Sequence, residues 1–143
     1  MKKVLYLSVL LLLCNLLYSQ TAKEKWITLT GKTGNKILID QKSVSQNKDG
    51  DIIVTAMEEF LTPFLLEGIP EEIQKTSTSY LINIKLLRYG ITQIGLYNSK
   101  GKELKKYNYP ADSEVTDYKY GWPLLKDSDQ EMILNKCQEI LKK

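Results

Sequence analysis

The sequence predicts an α+β domain, in which antiparallel strands follow one another as a meander and a helix ends the chain. Short apolar stretches that alternate with polar residues recur between turn-forming residues, which is typical of strands in a half-buried sheet. The carboxy-terminal segment changes to helical spacing behind a helix-capping sequence. No repeat or long linker divides the chain, so we expect one domain over residues 20–143.

The amino terminus predicts a secretory signal peptide over residues 1–19. Lys2 and Lys3 supply the positive charge, an apolar run follows, and Ser19 is the small residue before the expected cut. The apolar run is shorter than the roughly 20 residues of a membrane-spanning helix. Retention as an uncleaved anchor and lipidation at Cys14 remain alternatives. We therefore expect an exported protein that is periplasmic, at the cell surface or secreted.

Six segments have the composition of strands, with aliphatic, β-branched and aromatic residues between turns. In chain order they are 25–29, 36–39, 51–60, 80–89, 91–97 and 103–109. Gly50 and Gly101 predict tight turns, because glycine supplies the positive φ that a hairpin requires. Residues 62–79 include Pro63 and Pro70 and have no clear periodicity, so we expect a long excursion from the sheet there.

The helix is predicted from its start and from its apolar stripe. Ser128 and Glu131 fit a capping box, in which the hydroxyl and the carboxylate each accept a hydrogen bond from an unpaired backbone N–H. Five apolar residues then recur at helical spacing. They are Ile133, Leu134, Cys137, Ile140 and Leu141. We expect this stripe to pack on the face of the strand over residues 80–89 that carries Tyr80, Ile82, Ile84 and Leu86.

Several short motifs follow one another along the chain. They are Trp26 at the first strand, residues 40–44, 80–84, 97–102 and 122–124, and Ser128 before the helix with Cys137. Together they resemble the surface-adhesin protein E-like family of bacterial exported proteins, over nearly the whole chain after residue 19. The resemblance implies an antiparallel sheet of about six strands with the final helix across one face. It also implies an adhesive or ligand-binding role at the cell envelope.

The resemblance implies, in addition, a family disulfide that this chain lacks. Family members commonly tie the helix to the sheet with a disulfide, and Ile84 stands where its sheet cysteine would be expected. Cys137 then acts as a small apolar residue of the helix. We assign structural roles to Trp26, Ile84, Trp122, Ser128, Glu131 and Cys137.

The chain contains no histidine, which removes the usual Ser-His and Cys-His pairs and the commonest zinc ligand. After residue 19 only Cys137 remains, so one chain can form neither an internal disulfide nor a thiolate metal site. Loss of the signal peptide leaves a nearly balanced charge, which does not favour nucleic-acid binding. We predict a protein that is not an enzyme, has no cofactor or metal, and binds partner proteins at the envelope or in a host matrix.

Tyrosines form the candidate binding surface, because tyrosine combines a large contact area with a polar group. They are Tyr107, Tyr109, Tyr118 and Tyr120. The alternative is that these rings cover the sheet and the helix edge, with Trp122 in the core. Two other functions remain open: a small hydrolase that uses two separated carboxylates in a cleft, and a structural accessory protein of the envelope.

Overall fold

The computed structural model describes residues 26–110 and 119–142, and within them eight strands form one antiparallel sheet followed by a helix. The predicted signal peptide and Tyr118 lie outside the described residues. The elements are β1 (Trp26–Thr30), β2 (Lys36–Asp40), β3 (Ser45–Gln46), β4 (Ile52–Phe64), β5 (Ile73–Asn83), β6 (Arg88–Tyr97), β7 (Glu103–Asn108), β8 (Trp122–Pro123) and α1 (Asp129–Leu141). The predicted α+β meander with a carboxy-terminal helix is confirmed.

The long strands lie in the order β1-β2-β4-β5-β6-β7, and every neighbouring pair is antiparallel. The two-residue strands β3 and β8 pair with the beginnings of β4 and β6. Gly50 has a φ of 89° in the β3–β4 turn and Gly101 a φ of 78° in the β6–β7 turn, as the sequence predicted. Among the described residues, this order leaves β1 and β7 as the two edges of the sheet.

The predicted excursion over residues 62–79 is wrong, because most of it extends the two central strands. β4 continues to Phe64, β5 begins at Ile73, and only eight residues connect them. The serines and threonines of β5 give a weak strand signal, but Thr76 pairs with Glu58 on one side and Leu96 on the other. Hydrogen bonding on both sides stabilises a strand that local composition does not predict.

The predicted strand over residues 80–89 is also wrong, since it is two strands joined by a turn. β5 ends at Asn83, residues 84–87 form the turn, and β6 begins at Arg88. The side-chain carbonyl of Asn83 accepts a hydrogen bond from the N–H of Leu86, which stabilises the turn at its first residue. The apolar sequence of this segment conceals the turn.

The main core lies between α1 and one face of the sheet. Its buried members are Ile37, Ile39, Ile52, Val54, Ala56, Ile82, Ile133, Leu134 and Cys137. Ile84 packs against the same core from the turn and is half-buried. Leu86 and Leu141 are exposed instead of buried, because Leu86 lies in the turn and Leu141 is the last residue of the helix. The predicted helix–sheet contact is therefore present but shorter than expected.

Half of the predicted capping box is present at the start of α1. The Ser128 side chain accepts from the N–H of Glu131 at 3.1 Å, as expected. The Glu131 carboxylate accepts from the N–H of Asp127 at 2.5 Å and not from that of Ser128. The N–H of Ser128 is already bound to the carbonyl of Leu125, and a positive φ at Asp127 turns its own N–H toward the carboxylate.

Cys137 is fully buried in this core, and burial raises the pKa of its thiol to about 12. We expect iodoacetamide at pH 8 to leave Cys137 unmodified in the folded protein and to alkylate it rapidly in denaturant, because the thiolate is the nucleophile. Peptide mass spectrometry measures this directly. The Leu141→Cys variant, with an exposed position on the same helix, should react without denaturant at residue 141. Equal alkylation at both positions in native buffer would contradict the buried site.

Candidate functional site

Large apolar side chains cluster on the surface where β6 begins. Leu86, Leu87, Trp122 and Leu125 are 48%, 59%, 47% and 62% exposed, and we call them the apolar patch. The two segments that carry these residues are adjacent because β8 pairs with the first residues of β6 and the N–H of Leu124 donates to the carbonyl of Leu87 at 2.8 Å. Clustered exposed apolar side chains indicate a contact surface.

Trp122 forms the outer end of a row of three aromatic rings. Its ring stacks on Tyr89 with centroids 6.0 Å apart, and Tyr89 meets Tyr80 edge to face at 5.7 Å. Burial raises the pKa of both tyrosines. The interpretation of Trp122 as a core residue is wrong, because β8 runs along the end of the sheet and leaves about half of the indole exposed. The indole of Trp122 is therefore held by its stack on Tyr89, and its exposed part is open to contact from solvent.

Leu87 has a backbone conformation that leucine rarely adopts. Its φ is 50°, in the left-handed region where a side chain costs about 1 kcal/mol or more and glycine costs little. This conformation accompanies the hydrogen bond that its carbonyl accepts from Leu124. Leu87 is the last residue of the four-residue turn between β5 and β6, so the turn sets this conformation while the leucine side chain stays exposed.

A buried carboxylate lies behind this part of the sheet. Asp51 is 1% exposed and accepts hydrogen bonds from the Tyr120 hydroxyl at 2.5 Å, Asn83 at 2.8 Å and Asn47 at 3.1 Å. We call these four residues the Asp51 cluster. The Lys119 ammonium lies 3.8 Å from the same carboxylate. A buried carboxylate that is fully hydrogen-bonded in this way is stabilised as an acceptor.

The Asp51 cluster connects directly to the apolar patch. Asn83 donates to Asp51 through its amide nitrogen, while its amide oxygen accepts from the N–H of Leu86. Arg88 donates from Nε to the carbonyl of Tyr120 at 2.7 Å. The segment that leads to Trp122 is thus attached to the turn and strand that carry the other patch residues. The cluster positions the patch.

Gly90 allows the segment before Trp122 to lie close to the sheet. A Cβ atom at this position would be only 2.0 Å from the carbonyl oxygen of Lys119. Hydrogen bonding to Tyr120, followed by the charges of Asp51 and Asp49, raises the pKa of Lys119. The ammonium of Lys119 therefore remains charged beside the buried carboxylate. Close backbone approach and charge pairing hold this segment together.

The structure does not bring the predicted tyrosines together. Tyr120 is 5% exposed, so its assignment to an exposed surface is wrong; its hydroxyl finds its partner in Asp51. Tyr107 packs against a second, smaller core around Ile73 and Leu96. Tyr109 is exposed beyond the end of β7. Tyr118 lies outside the described residues. Spacing along a strand could not reveal which tyrosines the loop would bury.

A second group of exposed apolar side chains lies at the opposite ends of β4 and β5. It comprises Leu61, Phe64, Leu65 and Leu66. The rings of Phe60 and Phe64 contact each other there, edge to face at 5.1 Å. The polar residues at this end of the sheet, Glu71, Asn98 and Lys102, differ from the Asp51 cluster because the Glu71 side chain is 41% exposed. This second group therefore offers matched exposed leucines for comparison with the apolar patch.

The site combines exposed apolar side chains with a buried carboxylate that is hydrogen-bonded within the fold. The Asp51 carboxylate accepts hydrogen bonds from three donors of the fold itself. In residues 26–110 and 119–142 there is no group of carboxylates and thiols that could hold a metal ion. The same residues include no helix with the length and apolar character needed to cross a bilayer. Comparisons with protein-family models, curated proteins and solved structures found no match.

Proposed function

We propose that this protein is an exported, non-enzymatic binding domain that contacts partner proteins at the bacterial cell envelope or in a host matrix. The apolar patch is the proposed contact surface. The observation that carries the proposal is Leu87, an exposed leucine held in a left-handed backbone conformation beside Trp122. Such strain persists where the surrounding structure over-determines it, which is frequently at functional positions.

The composition of the patch supports protein binding. Tryptophan is strongly enriched among the residues that carry binding energy at protein interfaces, and exposed leucines around it can exclude water. The stacked ring of Tyr89 holds Trp122 in one orientation, so little rotamer freedom is lost on binding. The signal-peptide pattern over residues 1–19 and the resemblance to exported adhesin-like proteins agree with this role.

Leu87→Gly tests the proposal, because glycine fits the backbone at residue 87 and removes only the exposed side chain. We expect the variant to fold with unchanged stability and to lose most of the partner recovered by affinity capture from isolated envelopes and solubilised extracellular matrix. Quantitative mass spectrometry of the captured proteins measures this loss. Trp122→Ser should have the same effect.

Leu65→Ala is the matched control, since it removes a leucine that is at least as exposed, 69% against 59%, from the opposite end of the sheet. Capture of the same partner should survive this substitution. If Leu87→Gly and Leu65→Ala recover the same proteins in the same amounts, the apolar patch is not the contact surface.

A further inference from the structure

The two edges of the sheet differ in charge and in regularity. β7 carries Lys105 and Lys106 and begins at Glu103, and its register with β6 shifts between Leu96 and Tyr97. Charged side chains and irregular register are features by which natural sheets prevent a further strand from adding. β1 has neither feature: it consists of five uncharged residues and pairs with β2 in unbroken register. Among the described residues, the edge at β1 therefore has neither of these two protective features.

The backbone of Thr28 presents hydrogen-bonding groups on the side of β1 that faces away from β2. The N–H of Gly31 donates to the carbonyl of Asn35 at 2.8 Å, so these two residues form a hydrogen-bonded pair of the β1–β2 hairpin. In an antiparallel ladder every second pair is hydrogen-bonded in this way. Ile27 and Leu29 therefore direct their backbone groups toward β2, whereas Thr28 directs its N–H and C=O outward. Thr28 is exposed, and in the described part of the chain no strand pairs with β1 on that side.

The helix does not cover this edge. A groove of about 400 Å³ lies beside β1, between Leu29 and Thr30 of the strand and Met132 of α1. Side chains of both charges line it. They include Lys32 and Lys136 on one hand and Asp129, Glu131 and Glu139 on the other. Because the groove carries charges of both signs, two copies of it that face each other do not bring together only charges of the same sign.

We propose that the β1 edge binds a second copy of this chain, with the two β1 strands antiparallel and Thr28 opposite the partner's Thr28. In this register Ile27 lies opposite the partner's Leu29 on the helix side of the sheet. Both side chains already pack against the main core, so their pairing extends it across the two copies. The strand is self-complementary, as a two-fold interface requires.

Register follows from the direction of the backbone groups. A pairing centred on Ile27 or Leu29 would need groups that already bind β2. A shift by two residues would centre the pairing on Trp26 or Thr30 and leave part of the five-residue strand unpaired. The pairing centred on Thr28 places the centre of the contact at the middle of the five-residue strand, which contains no charged residue.

Disulfide trapping with single cysteines tests the register in the purified protein. We expect Thr28→Cys to form a covalent dimer under mild oxidation, because Cα atoms of directly opposed residues lie about 5.5 Å apart, within disulfide reach. Thr30→Cys is the matched control: its two copies would be about 14 Å apart along the strands and should not cross-link. Cys137 is buried and does not compete. Equal cross-linking of both variants would overturn the proposed register.

Sedimentation equilibrium tests the dimer itself. We expect the average mass of the unmodified protein to rise reversibly with concentration toward that of two chains. Thr28→Pro should abolish this rise without unfolding the domain, since proline is tolerated where an edge N–H faces away from the sheet. Lys106→Pro, at an outward-facing position of β7, should leave it unchanged.

A protein that stays monomeric at every concentration would overturn the proposal. So would a dimer that persists in a folded Thr28→Pro variant. Circular dichroism and thermal unfolding of both proline variants separate loss of the dimer from loss of the fold. An added strand from a different protein would appear as a monomer here and would also count against the proposal.

Discussion

Replacing Gly90 with alanine is expected to destabilise the protein by about 3 kcal/mol or more. The new Cβ would lie 2.0 Å from the carbonyl oxygen of Lys119, so either the β6 backbone or the 119–120 segment must move. Overpacking against the backbone alone costs about 1–3 kcal/mol. Displacement would also break the bonds of Tyr120 to Arg88 and Asp51, each worth about 1–3 kcal/mol. Urea unfolding followed by tyrosine and tryptophan fluorescence measures the loss.

Gly95→Ala is the matched control for this substitution. Gly95 lies on the same strand and the same face, but its added Cβ would meet the ring of Tyr97 at 2.9 Å, a side chain that can rotate away. We expect a loss of about 1 kcal/mol or less. If Gly90→Ala is no worse than Gly95→Ala, the close approach of the Lys119 carbonyl is not a constraint on the fold.

Asp51→Ala is the second substitution with a large expected effect, a loss of about 3–5 kcal/mol in the free energy of unfolding. It leaves the donors of Tyr120, Asn83 and Asn47 without their acceptor, and it leaves Lys119 without its buried counter-charge. Removal of one partner from a buried charged cluster typically costs this amount. Chemical denaturation at pH 7 gives the number.

Two further variants separate the contributions to the Asp51 cluster. Asp49→Ala removes an exposed carboxylate from the same turn, 4.0 Å from Lys119, and should cost less than about 1 kcal/mol. Tyr120→Phe removes only the hydroxyl and should cost about 1.5–3 kcal/mol. Asp51→Ala and Tyr120→Phe should be strongly non-additive when combined, because they share one hydrogen bond. Additive losses would show that the two residues stabilise the fold independently.

Gly90→Ala and Asp51→Ala also test the connection between the Asp51 cluster and the apolar patch. Asn83 and Arg88 link Asp51 and Tyr120 to the turn and strand of the apolar patch. A variant that remains folded but has lost these links should expose Trp122 further. Acrylamide quenching of tryptophan fluorescence, compared with that of the Gly95→Ala protein, reports this change. Unaltered quenching in folded Asp51→Ala would mean that the patch is held by β8 pairing alone.

Local sequence patterns predicted the parts of the fold that depend on neighbouring residues. The Ser128 cap and the stripe of Ile133, Leu134 and Cys137 predicted α1, because helix start and amphipathicity are both encoded within a few turns. Gly50 and Gly101 predicted their turns for the same reason. The order of strands in a meander then follows from short connections between antiparallel neighbours.

The central strands were predicted less well, because their stability comes from partners distant in sequence. The serines and threonines of β5 form a strand since β4 and β6 pair with it on both sides. The apolar run from Tyr80 onward contains a turn, because hydrogen bonding at Asn83 prevails over strand propensity. Propensity cannot encode pairing between residues that are far apart along the chain.

The candidate site could be recognised only from the tertiary structure. The sequence predicted that aromatic residues near residues 107–122 could form a surface, but it could not predict which of them a loop would bury. Asp51 and Tyr120 are 69 residues apart, and their hydrogen bond buries the tyrosine while β8 leaves Trp122 exposed. The left-handed conformation of Leu87 has no signal in its residue type. Which side chains are buried depends on which segments cross in space, because long-range contacts, and not local preferences, determine what covers each residue.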